Sequence, residues 1–173
     1  MEVVDIDGNG LSVTWPKMVM ERVQRAKGGE EMEITTTPQP LKASKASPAG
    51  LYMLQSVVQV GPKSAVMSED LNTAVMFEGL DAKGKSLFQL QLNANTGGLD
   101  IELEGFGGHW EGLSSTHEVS MIVDAGVVEA IVNGVPIRAT LASNEKMQTL
   151  KVSKNGAADV KISKDWTLDP MTP

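Results

Sequence analysis

Segment 86–106 changes hydropathy with a period of two. In SLFQLQL, Leu87, Leu90 and Leu92 are spaced among polar residues; in LDIELEGF, Leu99, Ile101 and Leu103 alternate with Asp100, Glu102 and Glu104. Successive side chains of a strand point to opposite faces, so this pattern buries one face of a sheet and wets the other. Similar segments recur along the chain: GLYMLQSVVQV, TAVMFEGL, HEVSMIVD, VVEAIVNG, VPIRATLA, MQTLKVSK and ADVKISKDWTL. Between them lie DAKGK, NANTGG, Ala125-Gly126, Asn133-Gly134 and NGA, and the last three favour tight hairpins. Strands at this spacing predict an all-β fold, an antiparallel β-sandwich of concanavalin-like, jelly-roll type.

At 173 residues the chain fits one domain, with the sandwich core at 50–170 and N-terminal strands plus a linker at 1–49. VVDIDGNGLSVTW and EMEITTT read as strands. Between them PKMVMERVQRAKGG also fits a helix with Pro16 at its first position and Gly28-Gly29 as its stop. TPQPLKASKASPAG reads as a linker. A net charge of -7 argues against nucleic acid or an anionic membrane as partner. No stretch approaches the ~20 apolar residues of a membrane span. The acidic, glycine-bearing MEVVDIDGNG does not read as a signal peptide. The chain has no cysteine, which removes disulfides, thiolate nucleophiles and cysteine-based zinc sites together.

The motifs that could carry chemistry are few. Asp5, Asp7 and Asn9 match the opening of a calcium loop. The twelfth position, where a bidentate glutamate is needed, is Pro16, so DGNG reads better as a hairpin turn, with calcium at these three residues as the weaker alternative. His109 and His117, near Glu111 and Glu118, are expected as surface or loop residues, because a metal would require three or four convergent ligands. No Gly-x-Ser-x-Gly motif is present, and GFGGHW lacks the lysine of a phosphate loop. Trp110, and after it Trp15, are the candidate platforms for stacking on a sugar ring. Asp124 and Glu129 have the look of an acid–base pair. Strand register instead makes Asp124 the end of one strand and Glu129 a structural carboxylate with Arg138 as its cross-strand partner.

HEVSMIVDAGVVEAIVNGVPIRATLAS resembles the signature of the C-terminal β-sandwich of glycoside hydrolase family 32, the β-fructosidases (invertases, inulinases and levanases). Asp124 and Glu129 fall on its acidic positions and Asn133-Gly134 on its turn. SLFQLQLNANTGGLDIEL and MQTLKVSKNGAADVKISKDWTLDPM are similar to its inner hairpin and its closing strands, the latter with a tryptophan. LSVTWPKMVMERV is a looser counterpart of the LPREL segment that leads into the module. Gly126, Ala130-Ile131 and Val135 depart from the signature. In that family the catalytic carboxylates lie on an N-terminal propeller, in Trp-x-Asn-Asp-Pro-Asn, Arg-Asp-Pro and Glu-Cys motifs. None of these occurs here; Asp169-Pro170 lacks the arginine. The resemblance therefore implies a non-catalytic accessory module that stabilises a catalytic propeller or binds carbohydrate, a fructan or another glycan. The alternatives are a free-standing lectin-like protein, and a subunit or enzyme whose site the sequence hides.

Overall fold

The alternating segments become strands because each buries one face against a second sheet. The computed structural model describes residues 1–5, 11–23, 28–61 and 72–172. Its strands are β1 (Glu2–Asp5), β2 (Leu11–Thr14), β3 (Met32–Ile34), β4 (Gln39–Leu41), β5 (Tyr52–Val60), β6 (Thr73–Leu80), β7 (Ser86–Asn95), β8 (Gly98–Leu103), β9 (Phe106–Glu111), β10 (Thr116–Asp124), β11 (Val127–Val132), β12 (Val135–Thr140), β13 (Thr149–Asn155), β14 (Val160–Ile162) and β15 (Thr167–Pro170). A seven-stranded sheet runs β12-β11-β10-β5-β14-β3, with β15 also on β5; a six-stranded sheet runs β4-β13-β6-β7-β8-β9. Every pairing is antiparallel. The two sheets pack face to face as the predicted β-sandwich.

The core between them is aliphatic, as a chain poor in aromatics requires: Leu54, Val58, Val75, Leu90, Leu92, Leu99, Ile101, Val119, Met121, Val128, Leu150 and Ile162 join Phe77 and Phe88. A second, smaller core lies on the outer face of the seven-stranded sheet. There Trp15, Met53, Ile131 and Met171 pack with Val13, Val19, Met20 and Val23 of the N-terminal segment. Residues between Val13 and Val23 therefore cover part of one sheet.

Several expectations are corrected by tertiary pairing. The hairpins at Ala125-Gly126 and Asn133-Gly134 form, and at the second both turn residues take positive φ (48° and 81°), the geometry that favours Asn-Gly. The third hairpin, at NGA, does not: β13 pairs with β4 and β6 while β14 pairs with β3 and β5, so 156–159 crosses between sheets. LDIELEGF is divided by a tight turn at Glu104-Gly105, also with two positive φ values (50° and 81°), and the rest of glycine-rich GFGGHW, from Phe106 on, lies in the edge strand β9. Asn93 and Asn95 extend β7 into the expected NANTGG loop. The linker contributes β4, which buries Leu41. The helix after Pro16 is a single turn, α1 (Lys17–Met20). Histidine 117 is neither on the surface nor in a loop: it lies on β10, 2% exposed, in phase with buried Val119, Met121 and Val123.

Candidate functional site

The site begins with an irregularity in one strand. β14 and β15 run along the same edge of β5, with Ile162 opposite Val58 and Thr167 opposite Gln55. Residues 163–166 therefore span the interval that residues 56–57 span on β5. The excess is a bulge, a device that re-aims side chains and recurs beside functional sites. Asp165 at its apex holds φ at 74°, an uncommon backbone state for a residue with a Cβ.

The bulge is fastened by Gly28-Gly29, the dipeptide expected to stop a helix. Gly29 donates its N–H to the Trp166 carbonyl (2.7 Å) and accepts from the Asp165 N–H (2.9 Å). A Cβ on Gly28 would lie 2.6 Å from the Asp165 Cα, and one on Gly29 would lie 2.4 Å from Cε2 of the Trp166 indole. The two glycines are needed for this close approach. The indole Nε1 donates to the Glu30 carbonyl at 2.9 Å, which sets the ring's orientation.

Trp166 forms one wall of a groove of about 610 Å³ on the outer face of the seven-stranded sheet. The groove is also lined by Trp15, and its polar groups come from Thr14, Gln55, Glu118, Ser120, Asn133, Lys164 and Asp165. Trp15 is 7% exposed and donates from Nε1 to the Ser120 hydroxyl at 2.6 Å. Asn133 is fixed twice: its N–H donates to the Glu118 carbonyl (3.0 Å), and its Oδ1 accepts from the Glu118 N–H (2.9 Å). The groove thus combines two indole-bearing residues with oriented amides, hydroxyls and charges, the kind of lining that fixes the orientation of a small ligand.

Behind Asn133 sits His117. The Asn133 Nδ2 donates to its Nδ1 at 3.0 Å, and Trp110 meets its ring edge-on, centroids 5.8 Å apart. Burial pushes the His117 imidazole below its ordinary value of 6.5. The unfolded chain thus takes up a proton near pH 6.5 while the folded chain resists it, so stability falls as pH drops below that point. The slope from this group is at most about 1.4 kcal/mol per pH unit, ending once the folded histidine protonates. Thermal melts between pH 7.5 and 5 should show His117→Asn with a flatter profile than wild type; parallel profiles would contradict this.

Of the residues singled out from sequence, Trp15 reaches the groove but is mostly buried, so its platform area is small. Trp110 is packed against the main core and His117, and is not among the groove's lining residues. His109 is on β9 and pairs with Asp100 at 2.7 Å. Asp124 ends β10 and accepts the Ala125 N–H at 2.7 Å. Glu129 lies opposite Arg138, with Nε 3.2 Å from Oε1. Both side chains reach solvent, so Glu129→Gln should cost no more than about 1 kcal/mol in denaturant unfolding and leave ligand binding intact. A loss of binding at unchanged stability would instead return a ligand role to Glu129. Asp5 ends β1 opposite Leu11, whereas Asp7 and Asn9 lie outside the described residues. Among the described residues no three His, Asp or Glu side chains converge as a metal site. Trp166, which sequence patterning treated as part of a strand, is the principal residue missed.

No family model matches the chain, and no curated protein matches it in sequence. Solved structures do match. The CBM2 module of the evolved Dit of Lactobacillus casei BL23 phage J-1 superposes with a TM-score of 0.55 at 10% identity, over 95% of this chain and 89% of that one. A family 7 alginate lyase bound to substrate superposes at 0.52 and 10% identity, over 75% and 66% of the two chains. The fructofuranosidase of Schwanniomyces occidentalis in complex with fructose superposes at 0.55 and 12% identity, over 95% of this chain but 38% of that enzyme. The resemblance read from sequence is thus matched in fold: this chain shares a β-sandwich, distantly, with the fructofuranosidases of family 32.

Proposed function

We propose that this chain is a non-catalytic carbohydrate-binding β-sandwich whose ligand lies in the groove under Trp166. The observation that carries the reading is the bulge at 163–166, which places partly exposed Trp166 in one groove with Gln55, Ser120 and Asn133. A sugar ring offers an apolar face for an indole and hydroxyls for planar amides and carboxylates, and this groove supplies both. One fold neighbour is a fructofuranosidase in complex with fructose and another an alginate lyase in complex with its substrate, which fits a glycan-directed role.

A second reading is favoured by the coverage of the fructofuranosidase, 95% of this chain against 38% of that one. In it the chain is an accessory module within, or beside, a fructan-cleaving enzyme. Docking through a sheet face calls for a contiguous apolar patch. Among the described residues the large exposed apolar side chains are Met1, Met18, Phe106 and Leu113, which lie on separate elements. That distribution favours binding over docking.

Affinity electrophoresis through gels containing inulin, levan or a soluble cellulose derivative tests the binding role. Retardation is expected with at least one polymer, and none with any of the three would contradict it. Incubation with sucrose and inulin should release no reducing sugar; robust turnover would sink the non-catalytic reading.

A further inference from the structure

On the opposite side of the sandwich, the outer face of the six-stranded sheet carries a shallow depression of about 620 Å³ over β7, β8 and β9. Register sets two cross-strand rows there: Gln91, Glu102 and Gly107, then Asn93, Asp100 and His109. The planar groups are oriented before any ligand arrives. The Gln91 Nε2 donates to the Asn93 Oδ1 at 2.8 Å, and Asp100 accepts the Asn95 Nδ2 at 2.7 Å while pairing with His109.

Gly107 is the informative residue. It sits inside a strand, where glycine weakens the ladder, and nothing among the described residues demands it. Among the described residues a Cβ there would meet only the Ile101 carbonyl oxygen, at 4.0 Å. Its φ is not among the positive ones, unlike that of Gly105 in the preceding turn. Neighbouring Gly108, by contrast, has a packing reason, since its Cβ would lie 3.1 Å from the Val135 side chain. A side chain is absent at 107 where the sheet would accept one, and the effect is an open floor beside Glu102 and His109.

We propose that this face is a second glycan-binding site, specific for neutral oligosaccharides and separate from the Trp166 groove. Amides and carboxylates in fixed rows accept and donate to vicinal hydroxyls, and the bare backbone at Gly107 lets a ring settle on the sheet. The carboxylates of Asp100 and Glu102 face the ligand and His109 is already paired, so a polyuronate is repelled. With one site on each outer face, a single chain can bridge two glycan strands.

The test is a titration of ¹⁵N-labelled protein with nystose, cellotetraose and tetramannuronate, in wild type, Gly107→Val and Trp166→Ala. A neutral tetrasaccharide should shift the side-chain amide resonances of Gln91 and Asn93. Gly107→Val, which suits a strand, should melt at or above the wild-type temperature yet weaken binding at this face at least tenfold. Groove binding should persist in that variant. Trp166→Ala should show the reverse pattern, so failure of the groove and failure of this face are separately visible. Unchanged binding at this face in Gly107→Val, no amide shift with either neutral sugar, or tighter binding of tetramannuronate would overturn the proposal.

Discussion

Phe88→Ala should destabilise the fold by about 3–5 kcal/mol, the range for removing a buried ring. Phe88 is 1% exposed on β7, and its ring lies against Gly79 on β6, where a Cβ would come within 2.1 Å of its Cε1. The absence of a side chain at 79 makes the space for the ring, so no neighbour at that position can swing in to fill the void. The cost should therefore fall in the upper part of the range. For a domain of this size that is a drop in melting temperature of roughly 10 °C or more, read by thermal or denaturant unfolding. A loss below about 1 kcal/mol would mean that the two sheets are not packed around this ring.

Trp166→Ala should weaken glycan binding in the groove by about 2 kcal/mol, roughly thirtyfold in Kd, as deletion of an aromatic anchor does. The ring is partly exposed and packs against the main core rather than within it, so the melting temperature should fall less than in Phe88→Ala. Gly29→Ala supplies the complementary perturbation. Its new methyl group would occupy the place of the indole, so the ring must move although it is still present. Both variants should lose affinity by titration calorimetry while Glu129→Gln keeps it. Wild-type affinity in both Trp166→Ala and Gly29→Ala would remove the groove from the account.

What sequence conveyed and what it hid follow a physical division. The strands that alternate strictly, such as β8 with Leu99, Ile101 and Leu103 buried and Asp100 and Glu102 wet, were legible because one periodicity encodes them. So were the cross-strand position of Glu129 and Arg138 and the turn at Asn133-Gly134, which follow from local register. Asn155-Gly156 offered the same local chemistry yet serves a crossover, because turn residues do not say which sheet the next strand joins. Glu104-Gly105 was hidden by alternation continuing across the break. His117 carried a usable signal: it is in phase with Val119, Met121 and Val123, which places it inward. The groove left no comparable trace. The placement of Trp166 depends on Gly28-Gly29, more than 130 residues away in sequence, whose close approach exists only once β14 and β15 lie beside β5.

The central claim, that glycan binds in the groove beneath the bulge, can be read from the three tryptophan indole resonances in a ¹⁵N correlation spectrum. Titration with nystose, and then with cellotetraose, should shift the Trp166 indole most, Trp15 next, and leave Trp110 in place. A ligand that shifts Trp110 alone, or that binds by calorimetry while the Trp166 and Trp15 indoles stay still, would contradict the account.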